Sequence, residues 1–92
     1  MQINFYATLR QIVGGRTVTF DMEPGITVRE LIDGVVTRFP PLRVQLLDNN
    51  GNLYSHVHVF INGRDAPYLP NSVETTIAPG DTIDIFPATA GG

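Results

Sequence analysis

The sequence predicts an α+β domain in which a mixed sheet carries one main helix on one face. Three observations predict it. Apolar residues alternate with period two in short segments at both ends of the chain and in its later half, a single helical stripe of six apolar residues separates the second such segment from the third, and Asn62-Gly63 and Gly80-Asp81 mark turns beside the later strands. Ninety-two residues suffice for one domain with one small core.

Residues 2–7 alternate, with Ile3, Phe5 and Ala7 on one side and Asn4 and Tyr6 on the other, as in a half-buried strand. Residues 16–21 repeat the pattern through Val18 and Phe20. Gly14-Gly15 supplies the backbone freedom for a reversal, so residues 9–13 are expected to form the broad turn of a hairpin. Pro24-Gly25 ends the second strand, and Thr27-Val28-Arg29-Glu30 reads as a capping box that opens a helix. Val28, Leu31, Ile32, Val35, Val36 and Phe39 then fall on one stripe, and Pro40-Pro41 stops the helix. Gly34 lowers helix propensity by up to about 1 kcal/mol. The stripe outweighs it, because each fully buried anchor contributes roughly 1.5 to 3 kcal/mol.

Residues 42–47 are apolar but short, giving a short helix or turn before the loop Asp48-Asn49-Asn50-Gly51-Asn52. Val57, Val59 and Ile61 alternate with His58 and Phe60 as a third strand, and Asn62-Gly63 turns the chain into a short fourth strand over residues 64–66. Beyond Pro67, Pro70 and Pro79, residues 82–86 form the last strand, with Ile83 and Ile85 opposite Asp84 and Phe86. This order is that of a β-grasp. Its helical crossover lets the first and last strands meet in parallel at the sheet centre.

Composition excludes several function classes. With 42% hydrophobic and 16% charged residues the chain folds rather than remaining disordered. It has no cysteine, hence no disulfide framework, thiolate nucleophile or cysteine zinc site. A net charge of -3, a pI near 5.0 and scattered arginines argue against nucleic acid as a ligand. No apolar run approaches the roughly 20 residues that span a bilayer, and Met1-Gln2-Ile3-Asn4 does not resemble a signal peptide, so a cytoplasmic protein is expected. All six basic residues are arginine, which leaves no side-chain amine to accept an acyl group.

The chemistry concentrates at the C-terminus. Residues 1–87 form the domain, and residues 88–92 are expected to be a flexible tail, since Ala88-Thr89-Ala90-Gly91-Gly92 carries no apolar anchor. Glycines at the last two positions permit threading through a narrow cleft. The sheet face away from the helix should carry His58, Phe60, Asp84, Phe86 and Tyr6. Its two phenylalanines suit a partner anchor, unless the segment around residues 40–50 covers them. His56 and His58 share a strand face with no cysteine or carboxylate to complete a ligand set, so no metal is expected. Ser55-His56 is only a sequence neighbour pair, Gly14-Gly15 lacks the lysine of a phosphate loop, and Asp81 and Asp84 read as turn and edge charges. The chain is not expected to be an enzyme.

The sequence resembles the small ubiquitin-like sulfur carriers of the MoaD, ThiS and CysO group over essentially its whole length. Three stretches carry the resemblance: Phe5-Tyr6-Ala7-Thr8-Leu9-Arg10-Gln11-Ile12-Val13-Gly14, Thr27-Val28-Arg29-Glu30-Leu31-Ile32, and Pro79-Gly80-Asp81-Thr82-Ile83-Asp84-Ile85-Phe86-Pro87 running into Gly91-Gly92. Residues 40–59, longer than in carriers like ThiS, and the ending from Phe86 are most similar to MoaD and CysO. The resemblance implies a carrier whose Gly92 carboxylate is adenylated with ATP by an adenylyltransferase like the ubiquitin-activating enzymes. It also implies a cysteine desulfurase or rhodanese-like sulfur donor, a C-terminal thiocarboxylate and a downstream synthase, of which the chain is a small non-catalytic subunit. No cofactor is bound by the chain itself. Docking through the open sheet face and tail implies contacts at His58, Phe60, Phe86, Pro87, Thr89, Ala90 and Gly91. With nothing after Gly92, the form is expected to be ready for activation. Cysteine biosynthesis is favoured over molybdopterin by the CysO-like tail. Two alternatives stay open: a protein modifier joined through Gly92 to target lysines, and a β-grasp interaction module with an incidental diglycine.

Overall fold

The computed structural model describes residues 1–87. Its elements run β1 (Gln2–Phe5), α1 (Leu9–Val13), β2 (Thr17–Thr19), α2 (Val28–Arg38), α3 (Arg43–Leu46), β3 (His58–Ile61), β4 (Arg64–Asp65) and β5 (Ile83–Phe86), with short 3₁₀ turns between several of them. The five strands form one sheet in the order β2-β1-β5-β3-β4. β1 and β5 lie in parallel at its centre, Asn4 opposite Asp84 and Phe5 opposite Ile85. β3 joins β5 antiparallel, from His58 opposite Phe86 to Ile61 opposite Ile83. This is the predicted β-grasp.

The local chemistry matches the reading of α2. The Glu30 backbone N–H donates to Thr27 Oγ1 at 3.1 Å and the Thr27 N–H to Glu30 Oε1 at 2.9 Å, closing both halves of the capping box. Val28, Leu31, Ile32, Val35 and Val36 are buried against Ile3, Phe5, Val59, Ile61, Ile83 and Ile85 in one apolar cluster. Phe39 caps the C-terminus, half-buried, its ring edge-on to Phe20 at 5.9 Å. Leu42, Leu46 and Leu47 join the same cluster, so the segment through α3 closes the core on the helix side. The tight turn is also as read, with φ of 54° at Asn62 and 83° at Gly63.

Three expectations need correction. Residues 9–13 form helix α1 rather than a broad turn, with Leu9 buried and Gly14 in the left-handed conformation at its end. Ala7 is not on the core side of β1. It has left the strand at φ 52° and is exposed. Gly34 is more than a propensity cost, because a side-chain Cβ at that position would collide with Met22 Sδ, so the glycine makes room for the methionine.

Candidate functional site

Alternation along β1, β5 and β3 sends Ile3, Phe5, Ile83, Ile85, Val59 and Ile61 into the core and leaves the intervening side chains on the opposite face. That face carries Asn4, Tyr6, Asp84, Phe86, His58 and Phe60, all half-buried. The segment at residues 40–47 does not cover it, since its leucines serve the core on the other side.

A polar cluster organises the centre of the face. The Asp84 carboxylate accepts hydrogen bonds through one oxygen from Asn4 Nδ2 and from the Tyr6 hydroxyl, each at 2.9 Å. Thr17 Oγ1 donates to Asn4 Oδ1 at 2.8 Å, extending the chain to β2. Asp84, read as an edge charge, therefore sits on a central strand and binds Asn4 of β1 and Tyr6 just beyond its end. The Tyr6 hydroxyl ionises above its ordinary range, first because it donates to Asp84, then because it is partly desolvated and faces the Asp84 charge, with Arg10 opposing.

The aromatic side chains form a connected patch around this cluster. The Tyr6 ring stacks on Phe86 with centroids 3.9 Å apart and planes 7° from parallel. Phe60 meets Phe86 edge-on at 5.5 Å, and the His58 ring lies 5.8 Å from Phe60. Arg10 closes the other end, its guanidinium 5.3 Å from the Tyr6 ring centroid and its Nε donating to the Phe5 carbonyl at 2.9 Å. His58 Nδ1 is 2.6 Å from Asp65 Oδ2 on β4. Asp65 also caps the turn after β4 by accepting from the Ala66 N–H at 3.0 Å.

His58, Phe60 and Phe86 are thus brought together, and Pro87, which follows Phe86 directly, is buried. Thr89, Ala90, Gly91 and Gly92, like the proposed tail over residues 88–92, lie outside the described residues. Asn4, Arg10 and Asp65 were missed as parts of the face. The signal for Asp65 was present, since a two-residue turn at Asn62-Gly63 puts Asp65 opposite Phe60 and within reach of His58. A carboxylate thus does lie beside His58. His56 lies outside β3, exposed and stacked on Tyr54 at 5.2 Å, so the two histidines do not share a strand face. Among the described residues no group of three potential metal ligands occurs, and no helix is long and apolar enough to cross a membrane.

The arrangement offers an aromatic patch whose Phe86 lies on the strand that precedes the C-terminal segment. The chain matches the ThiS family over residues 3–92. It is 32% identical to small archaeal modifier protein 1 of Haloferax volcanii over 92 residues, the full length of both. The crystal structure of that protein superimposes with a TM-score of 0.82, covering 99% of this chain and 97% of the other. Sulfur carrier protein CysO of Mycobacterium tuberculosis is 30% identical over 70 residues, 74% of each chain. A further solved structure, the BexX/CysO complex of Amycolatopsis orientalis, matches with a TM-score of 0.76 at 31% identity, covering 99% of this chain and 98% of that one.

Proposed function

From the premise that the chain belongs to the ThiS family, whose relatives are carriers or modifiers rather than catalysts, we propose that it is a sulfur carrier acting through Gly92. The observation that carries the reading is the continuity of the Tyr6, Phe60 and Phe86 patch with β5, which runs directly into the sequence ending in Gly91-Gly92. A partner gripping the patch acquires the register of the strand, and so aims the C-terminal carboxylate at a distant cleft.

The chemistry has a fixed order. A carboxylate is a poor electrophile, so an adenylating partner first joins Gly92 to AMP, with the carboxylate oxygen attacking the α-phosphorus of ATP and pyrophosphate leaving. A persulfide on the donor then displaces AMP to give an acyl disulfide. A second thiol, also a partner's because this chain has no cysteine, cleaves it by thiol–disulfide exchange. That step leaves a disulfide on the partner and releases the thiocarboxylate, an ionised nucleophile that a downstream synthase can use with water excluded. Adenylation, sulfur donation and acceptance all occur on partners. The BexX/CysO complex supports such partnering by analogy, and the similarity to CysO favours cysteine biosynthesis as the destination.

A second reading, conjugation of Gly92 to target lysines, is favoured by the full-length similarity to a small archaeal modifier. Intact mass of the protein from its native host, with fragmentation, separates the two. A gain equal to one oxygen replaced by sulfur, located at Gly92, is expected for the carrier. Covalent adducts on target proteins with no thiocarboxylate form would replace the carrier reading with the modifier.

A further inference from the structure

A concave site lies on the helix side of the sheet, on the other side from the aromatic patch. It is a groove of about 230 Å³ between the first half of α2, the loop at residues 47–57 and the turns after β4. Ile32, Leu47, Val57, Val59 and Ala66 form its floor, and all are buried core residues. Leu53 and Val73 wall it and remain partly accessible. The groove is smaller than the roughly 300 to 1,000 Å³ of small-molecule sites, and suits one large apolar side chain.

The charges at its mouth say which neighbour that side chain should have. Arg29 is neutralised by Glu74, its Nε 2.9 Å from Glu74 Oε2. Asp65 is committed to His58 and to the Ala66 N–H. Asp33, exposed at the rim, has no hydrogen-bonded side-chain partner among the described residues, so an uncompensated carboxylate stands beside an apolar floor. We propose that this groove is an anchor pocket for a protein partner that inserts one apolar side chain and places an adjacent arginine or lysine against Asp33. Because Val59 reaches it from the core side of β3, opposite His58 and Phe60, with Val57 just before the strand, the pocket and the aromatic patch can be occupied together. The proposal goes beyond the carrier reading and does not depend on it.

The test is a nitrogen-15 NMR titration of the unactivated full chain at low salt with two probes, N-acetyl-Phe-Arg-amide and N-acetyl-Phe-Glu-amide. Saturable shifts at the Ile32, Leu53 and Val73 amides are expected for the arginine probe, with Phe60 and Phe86 unmoved. An exposed charge pair of ordinary strength gives it about a two- to fivefold lower Kd than the glutamate probe. Asp33→Asn, on the surface, should erase that preference and retain the shifts. No saturable shift at these amides, shifts confined to the aromatic patch, or equal affinity for both probes would overturn the proposal. None of these results bears on whether Gly92 becomes a thiocarboxylate.

Discussion

Asp84 binds Asn4 and Tyr6 with a single oxygen, and that geometry ties the ring of Tyr6 to its stack on Phe86. The neutral Tyr6 hydroxyl is the donor, so ionisation breaks the bond. Since its ionisation is raised above the ordinary value of 10.0, the stability it contributes is fully present below that pH and is lost as pH rises through the raised value. Absorbance titration should show a late tyrosine step above the ordinary value of 10.0, and Tyr6→Phe should remove it. If the same late step survives in Tyr6→Phe, the assignment fails. Gly34 makes a second residue-scale case. Alanine there gains up to about 1 kcal/mol of helix propensity, but its Cβ meets the Met22 sulfur. Gly34→Ala alone is expected to be neutral or destabilising in urea unfolding, and to stabilise by up to about 1 kcal/mol in a Met22→Ala background. Equal effects in both backgrounds would show that the contact does not matter.

Element α2 shows how much local sequence can determine. Its start, its buried stripe and its end are all written into Thr27, the apolar spacing and Pro40-Pro41, because each acts within a few residues of itself. Thr27→Ala should therefore cost about 1 kcal/mol in chemical unfolding, and Thr27→Ser little. Element α1 was not legible. Thr8 at its start makes no side-chain capping bond, and a run of five residues with apolar Leu9, Ile12 and Val13 is too short to display a helical period beside two glycines. The site was legible in the same divided way. Phe60 and Phe86 follow from alternation, which one strand states by itself. The place of Asp84 depends on strand order, and Arg10 reaches Tyr6 only because α1 is a helix. Met22 against Gly34 is likewise a contact between two elements that no spacing within either announces.

At the scale of the whole molecule, the proposed carrier function would divide holding from delivering. Removing Gly91-Gly92 is expected to leave the thermal unfolding midpoint unchanged within about 1 °C, since neither residue has a side chain to bury. The same truncation should abolish thiocarboxylate formation. Phe86→Ala, by contrast, should weaken docking on the activating partner about tenfold or more while retaining a chemically intact terminus. A truncated chain that still supports sulfur transfer in vivo would remove the diglycine from the mechanism. The placement of β5 between β1 and β3 also has a mechanical meaning. A load drawn along β5 through residue 87 acts parallel to the strands, so the hydrogen bonds to β1 and β3 share it at once instead of opening one by one. Such a handle can be tugged into a narrow tunnel without unravelling the body behind it.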